Sequence, residues 1–228
     1  MRNLSVALAL LGCAACSLDV AANNGQPAQI RIVNAAPATT SVTAHLNGAT
    51  EAMTAALPFK GQSLGCPLIF PAIQDVVFRQ GTNTLGTATG DFMAGASYTI
   101  VLVNTGTAFR ALALADAANV TAGNHALRFI NATATAGDVY ATPPAGPGPG
   151  TSFLAVGNLA PLATTTEIPV YLQRAAADIR IRLYDVGNTT TPRADITLGA
   201  FSNGAATVVF TDPTSAADPG VFLISPCG

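Results

Sequence analysis

Ile30-Arg31-Ile32-Val33-Asn34-Ala35 returns 97 positions later as Leu127-Arg128-Phe129-Ile130-Asn131-Ala132, and Val42 falls on Val139 at the same spacing. Self-similarity over such a distance marks one folding unit used twice, so it is read before any strand is assigned. A second landmark, Gly90-Asp91-Phe92-Met93-Ala94-Gly95, returns 109 positions on as Gly199-Ala200-Phe201-Ser202-Asn203-Gly204, each time followed by a β-branched stretch. The spacing grows by 109 − 97 = 12, so the second copy carries an insertion. Pro143-Pro144-Ala145-Gly146-Pro147-Gly148-Pro149-Gly150 is its natural source, either a passive loop or a semi-rigid spur that a partner could grip. The predicted organisation is one unit over 29–121 and a second over 122–228, with the insertion at 143–150.

Each unit reads as all-β. Ser41 to Leu46 alternates, with Val42, Ala44 and Leu46 on one face, and Asn47-Gly48 then offers a tight turn. Asp178 to Tyr184 alternates with Ile179, Ile181 and Leu183 inward. Val76 to Phe78, Thr99 to Val103, Thr207 to Phe210 and Val221 to Ile224 are β-branched or aromatic runs bounded by turn formers. About seven short strands in ~95 residues is the arithmetic of an immunoglobulin-like sandwich. The fold predicted is therefore two tandem immunoglobulin-like β-sandwiches behind an N-terminal signal.

Of 228 residues, 50% are hydrophobic and only 10% are charged, where ~25% is usual. The single Lys and the absence of any Arg run exclude a nucleic-acid binder. Outward strand faces carrying Thr, Ala, Asn and Ser would account for the low charge.

Residues 1–16 read as a lipoprotein signal. Arg2 is the positive end, Leu4 to Leu11 the apolar stretch, and it is too short to span a bilayer. Leu10-Leu11-Gly12-Cys13 resembles a bacterial lipobox, and Ala14-Ala15-Cys16 supplies a second one, so lipidation falls on Cys13 or Cys16. A plain secretory signal is the alternative. Residues 17–28 would be a tether. Neither Ala14 nor Ser17, the residue after each candidate, is the Asp that retains such lipoproteins at the inner membrane, which favours an outer-membrane anchor in a Gram-negative cell. Loss of Arg2 leaves nine cations against twelve acids, a mature charge of −3. Cys66 and Cys227 remain in the folded part, and an oxidising compartment makes a Cys66–Cys227 disulfide the expectation, two free thiols the alternative.

Ile30-Arg31-Ile32-Val33-Asn34-Ala35-Ala36-Pro37, then Ser41-Val42-Thr43 and the Asn47-Gly48 turn, resembles the opening of the bacterial domain of unknown function 4397. That family shows valine-arginine-valine-valine-histidine-alanine-serine-proline, then aspartate-valine-tyrosine. The second copy keeps Asp138-Val139-Tyr140 but has Ala134 in place of the proline. Asn34 and Asn131 stand where the family often has His, and Ala36 and Thr133 where it has Ser. The resemblance covers essentially all of 28–226. It implies an exported, often lipid-anchored β-sandwich with no established activity.

Little in the chain suggests chemistry. Gly61-Gln62-Ser63-Leu64-Gly65 matches the hydrolase nucleophile elbow, which needs a strand before the serine and a helix after it. Pro58 and Pro67 flank it instead, so a plain loop is expected. His45 and His125 share no ligand spacing with each other or with a Cys and are read as surface or edge residues. Arg180, Arg182 and Tyr184 share a strand face with Asp178. That face is either a platform for a sugar or anionic polymer or a solvated face with cross-strand ion pairs. No metal site or cofactor is expected. The function expected is a noncatalytic cell-envelope lipoprotein, a structural or interaction module held to the membrane by its lipid, with an envelope protein or polysaccharide as possible partner. A ligand-binding or adhesin-type lipoprotein is the second reading, and a serine hydrolase centred on Ser63 the remote one.

Overall fold

A computed structural model describes residues 25–105, 108–116, 119–145, 154–162, 169–175, 177–199, 204–215 and 217–227. Cys13, Cys16, Phe201 and residues 146–150 lie outside them. Among the described residues there are sixteen strands and no helix. The first eight are β1 (Ala28–Asn34), β2 (Ser41–Leu46), β3 (Leu57–Pro58), β4 (Leu68–Ile69), β5 (Ala72–Gln80), β6 (Asn83–Phe92), β7 (Ser97–Thr105) and β8 (Ala108–Ala115). The rest are β9 (Asn124–Ala132), β10 (Gly137–Thr142), β11 (Leu154–Leu159), β12 (Tyr171–Ala175), β13 (Ile179–Asp185), β14 (Ala194–Leu198), β15 (Ala205–Thr211) and β16 (Val221–Ile224).

They form four sheets of four. The orders β4-β1-β7-β8 and β3-β2-β5-β6 in the first unit recur as β12-β9-β15-β16 and β11-β10-β13-β14 in the second. Every label rises by eight, so the two units share one topology, with a parallel pair, β1–β7 or β9–β15, at the centre of one sheet. The register places Ile32 opposite Ile100 and Phe129 opposite Val208. Ile32 thus has its counterpart in Phe129, while β7 and β15 are offset by 208 − 100 = 108 positions, one fewer than the glycine-phenylalanine landmark suggests. Each unit has eight strands rather than about seven. The two shortest in the first unit, β3 and β4, have two residues each, too short to show alternation. At the β2 end, Asn47 and Gly48 both take positive φ, 49° and 71°, and Ala49 N–H reaches the Leu46 carbonyl at 2.9 Å, the primed turn that Asn-Gly favours.

Three apolar layers separate the sheets. Ile30, Ile32, Tyr98, Ile100 and Leu102 of the β1–β7 sheet pack on Val42, Ala44, Val76, Phe78 and Phe92 of its partner. Leu127, Phe129, Val208 and Phe210 meet Val139, Ile181 and Leu183 in the second unit. Between the units, Val33, Val101, Val103 and Leu114 meet Ile130, Ala132, Val209 and Ile224. The sheets containing β1 and β9 are therefore the inner two of a four-sheet stack; their central strands are buried on both faces, while the flanking β4, β8 and β12 are partly open. This corrects the account of the low charge. Small polar residues on solvated faces are only part of it. The inner strands have no solvated face along most of their length, and a charge there would need a buried partner.

Phe92 is 1% exposed and meets Tyr98 edge-on at 4.9 Å between ring centroids. Because the middle layer belongs to both units, neither can lose its inner sheet without exposing the other's. The mature protein should unfold in a single calorimetric peak, and Phe92→Ala should lower that peak as a whole, at a cost of ~3–5 kcal/mol. Two separated peaks, only one of them moved by Phe92→Ala, would show that the middle layer does not couple the units.

Candidate functional site

The buried polar side chains at the seams of this stack are not those the sequence singled out. Arg128 projects from β9 into the middle layer. Its Nη2 donates to Asp116 Oδ1 at 2.8 Å, its Nη1 to the Ala115 carbonyl at 2.9 Å and its Nε to Thr207 Oγ1 at 3.0 Å. The side chains of Arg128 and Asp116 are 1% and 2% exposed. Thr99 Oγ1 also donates to Asp116, at 2.7 Å, and the Tyr171 ring lies 4.5 Å from the guanidinium carbon. Burial pushes the Tyr171 phenol up, Arg128 opposing it.

Arg31, the counterpart of Arg128, does the reverse. From β1 it donates to the Ser225 carbonyl beyond β16 and to the Ser63 and Gly65 carbonyls. Each unit thus extends an arginine to the end of the other's last strand. At the opposite end of the strands, Lys60 pairs with Asp218, and Arg110 donates to the Leu162 carbonyl at 2.8 Å. Lys60 and Leu162 are counterparts too, since their amides donate to the carbonyls of Asn34 and Asn131. The Cys66–Cys227 disulfide adds a covalent link between the units, with Cα atoms 6.0 Å apart.

Asn34 and Asn131 are buried corner stitches. Asn34 Nδ2 donates to Thr39 Oγ1 and the Leu57 carbonyl, and its Oδ1 accepts from the Ala36 amide. Asn131 donates to the carbonyls of Thr135 and Leu159 and accepts from the Thr133 amide. Both close an Asx-turn and tie the first strand of a unit to the edge strand of its other sheet. Asp138 likewise accepts the Asn158 and Gly187 amides at 2.7 and 2.8 Å.

Ser63 is buried in a loop alongside β1, with no helix after it. Its Oγ accepts from the Ile32 amide at 3.2 Å and donates to the Gly65 carbonyl at 3.0 Å. The sequence reading puts the histidines at surface or edge positions; neither is exposed, although His45 lies where β2 has no strand partner beyond Val42 on its β3 side. His45 bonds to Thr43 Oγ1 and to the Ala49 and Glu51 carbonyls. His125, 1% exposed on β9, is buried because β9 lies inside the stack, and burial followed by the nearby Arg174 lowers its pKa. Arg180 grips Asp195 with Nε at 2.8 and 3.1 Å, Arg182 lies 3.7 Å from the same carboxylate, and buried Tyr184 meets Tyr140 edge-on. Of that trio only Arg180 presents an open side chain, and its charge is paired.

Both units leave a concavity where the edge strands of their two sheets diverge. One, of about 320 Å³, is lined by Phe129, Val156, Leu159, Leu162, Val170 and Leu172. The other, of about 390 Å³, is lined by Met53, Leu57, Pro58, Ser63, Leu64 and Pro67. Their walls are mostly apolar, with Asn131 in one and Thr54, Gln62 and Ser63 in the other, and Asn131, Thr54 and Ser63 are already bonded. No group of three His, Cys, Asp or Glu able to hold a metal is found among the described residues, nor a helix long and apolar enough to cross a membrane.

Residues 28–142 match the domain of unknown function DUF4397. The chain belongs to this family. The match runs from β1 through β10, so it takes in the whole first unit and the opening strands of the second, where Asn34, Asn131 and Asp138 make their bonds. No curated protein matches the chain.

Two outcomes test the seams. Arg128→Met leaves Asp116 buried without its cation and should cost ~3–5 kcal/mol, read from the urea midpoint. The double variant Arg128→Met/Asp116→Leu should recover most of that loss. The second concerns Asp218. Burial pushes its carboxyl up, but Lys60, the Thr214 and Gly220 amides and the Thr214 hydroxyl outweigh this and hold it far below the usual carboxylate range. A depressed carboxyl contributes stability that is present above its unfolded value, ~3.9, and lost as pH falls through the folded one. Asp218→Asn should weaken the protein at pH 7 and flatten the loss of stability on acidification below about pH 4. An unchanged acid limb would remove Asp218 from it.

Proposed function

We propose that this member of the family is a lipid-anchored envelope protein whose four-sheet body is a rigid, noncatalytic structural or interaction module. The observation that carries the reading is where the polar groups go. Ser63, Asn34, Asn131, Asp138, Arg128, Lys60 and Asp218 are each engaged in holding a turn or a seam. Acid–base or nucleophilic catalysis needs a group free to move a proton or to attack. The Cys66–Cys227 disulfide accords with an exported protein. The lipobox at Cys13 or Cys16 supplies the anchor, and the absence of Asp after either cysteine favours the outer membrane.

A ligand-binding role for an envelope polymer or protein is favoured by one observation, the apolar concavity repeated at the same edge of both units. The intact mass of membrane-extracted protein tests the anchor: a diacylglyceryl-modified N-terminal Cys is expected, and an unmodified mature chain would sink it. Ser63→Ala should leave ester and peptide hydrolysis assays at background. Hydrolysis by the pure protein, abolished by that substitution, would overturn the noncatalytic reading.

A further inference from the structure

We infer that one end of the first unit is a membrane-contacting surface, formed by Leu68, Phe70, Ile73 and Met93, that rests against the bilayer carrying the lipid anchor. The inference rests on the lipoprotein reading above and adds to it which face of the body meets the membrane. Phe70 is 82% exposed, Ile73 75%, Met93 63% and Leu68 60%, although all are large and apolar. They are neighbours by register. β5 begins with Ala72 opposite Phe92 and Ile73 opposite Asp91, so Phe70 and Met93 flank the open end of the β5–β6 hairpin. Leu68 pairs with Gln29 at the start of β1. From Leu64 to Ile73 no side chain is charged, and Leu64 itself is 98% exposed. An apolar cluster of this kind on a soluble body marks a contact with protein or membrane.

The path of the chain decides between these. β1 starts at this end: Gln29 N–H bonds the Ala96 carbonyl, in the turn that follows Met93, and Gln26 lies beside Gly95. The chain therefore leaves toward its N-terminus from the rim of the cluster. Between Gly25 and a lipidated cysteine lie 11 residues if it is Cys13 or 8 if it is Cys16. Fully extended, these reach at most ~40 or ~30 Å. An anchor that short keeps the end bearing Gly25 at the bilayer, and with it the exposed apolar side chains. A second attachment beside a lipid restrains the body's orientation as well as its position, and its strength scales with buried apolar area. Charge plays little part. Residues 61–78 and 90–105 contain no Lys or Arg, exposed Asp91 sits opposite Ile73, and the nearby Arg31 is engaged by the Ser63, Gly65 and Ser225 carbonyls, so anionic headgroups gain little attraction.

The sequence contains no Trp, so a substituted one is a single optical probe. The lipidated full-length mature protein would carry Phe70→Trp, Met93→Trp or, in the turn beyond β13 at the other end of the strands, Val186→Trp. Each is reconstituted in phosphatidylethanolamine/phosphatidylglycerol vesicles with and without brominated acyl chains. The expected result is a blue shift and strong quenching for Phe70→Trp and Met93→Trp, none for Val186→Trp, and no gain when the anionic fraction rises. Vesicle-bound protein with unquenched probes at 70 and 93 would overturn the contact and leave the lipid anchor standing. Protein with an unmodified N-terminus that does not sediment with vesicles would overturn both. A blue shift without vesicles that grows with protein concentration would assign the surface to a second copy of the chain and overturn the membrane contact.

Discussion

The central strands of two sheets in this protein have almost no face to give to water. Most other features follow from that constraint. A strand buried on one side can alternate, but a strand buried on both must be apolar at nearly every position or bring its own polar partner. β1, β7, β9 and β15 obey this, and β9 is buried at eight of its nine positions. Where polar groups enter the middle layer they do so together. Arg128, Asp116, Thr99, Thr207 and Tyr171 form one bonded set at one end, and the fully buried apolar residues of the layer are Val, Ile, Leu and Ala. Such a buried pair contributes little net stability over an apolar equivalent, but it penalises any packing of the two sheets that separates its members.

The duplication supplies the geometry of this junction. Two copies of one sheet, packed through equivalent faces, bring equivalent residues to exchanged positions. Arg31 reaches past β16 as Arg128 reaches past β8. The copies have nevertheless diverged where the exchange is not required. Asp116 answers Arg128 with a carboxylate, whereas Arg31 finds only carbonyls. Lys60 needs Asp218, whereas its counterpart Leu162 is buried in the middle layer and lends its carbonyl to Arg110. The disulfide links the units on only one side. The result is one body with two similar halves and unlike ends. The exposed apolar cluster around Phe70 is a feature of the first unit, where the chain enters.

Side chains that invite a chemical reading turn out to have structural duties. Ser63 belongs to a loop that keeps pairing with β1, so its hydroxyl is already bonded. The Arg180–Arg182–Tyr184 face is closed by Asp195 and Tyr140. The Asn residues standing where the family often has His hold the corners between the two sheets of each unit. These roles share a cause: a body with so few charged side chains places them where backbone groups or opposite charges would otherwise be left unsatisfied.

The sequence by itself determined the duplication, the all-β class, the family and most of the longer strands. These depend on local periodicity and on repeated words such as Ile30–Ala35 and Leu127–Ala132, which survive without knowledge of partners. It also carried an unused sign of the middle layer. The runs Ile100 to Val103 and Val208 to Phe210 are continuously apolar, while β2 and β13 alternate, and continuous runs belong to strands covered on both faces. The tertiary structure decided which sheet lies inside, the parallel pairing of β1 with β7, the two-residue edge strands, the burial of His45 and His125, and the partners of each charge. None of these is local. Pairing across 68 residues, or from Arg128 to Thr207 through 79, depends on how sheets stack, and sequence spacing carries no term for that.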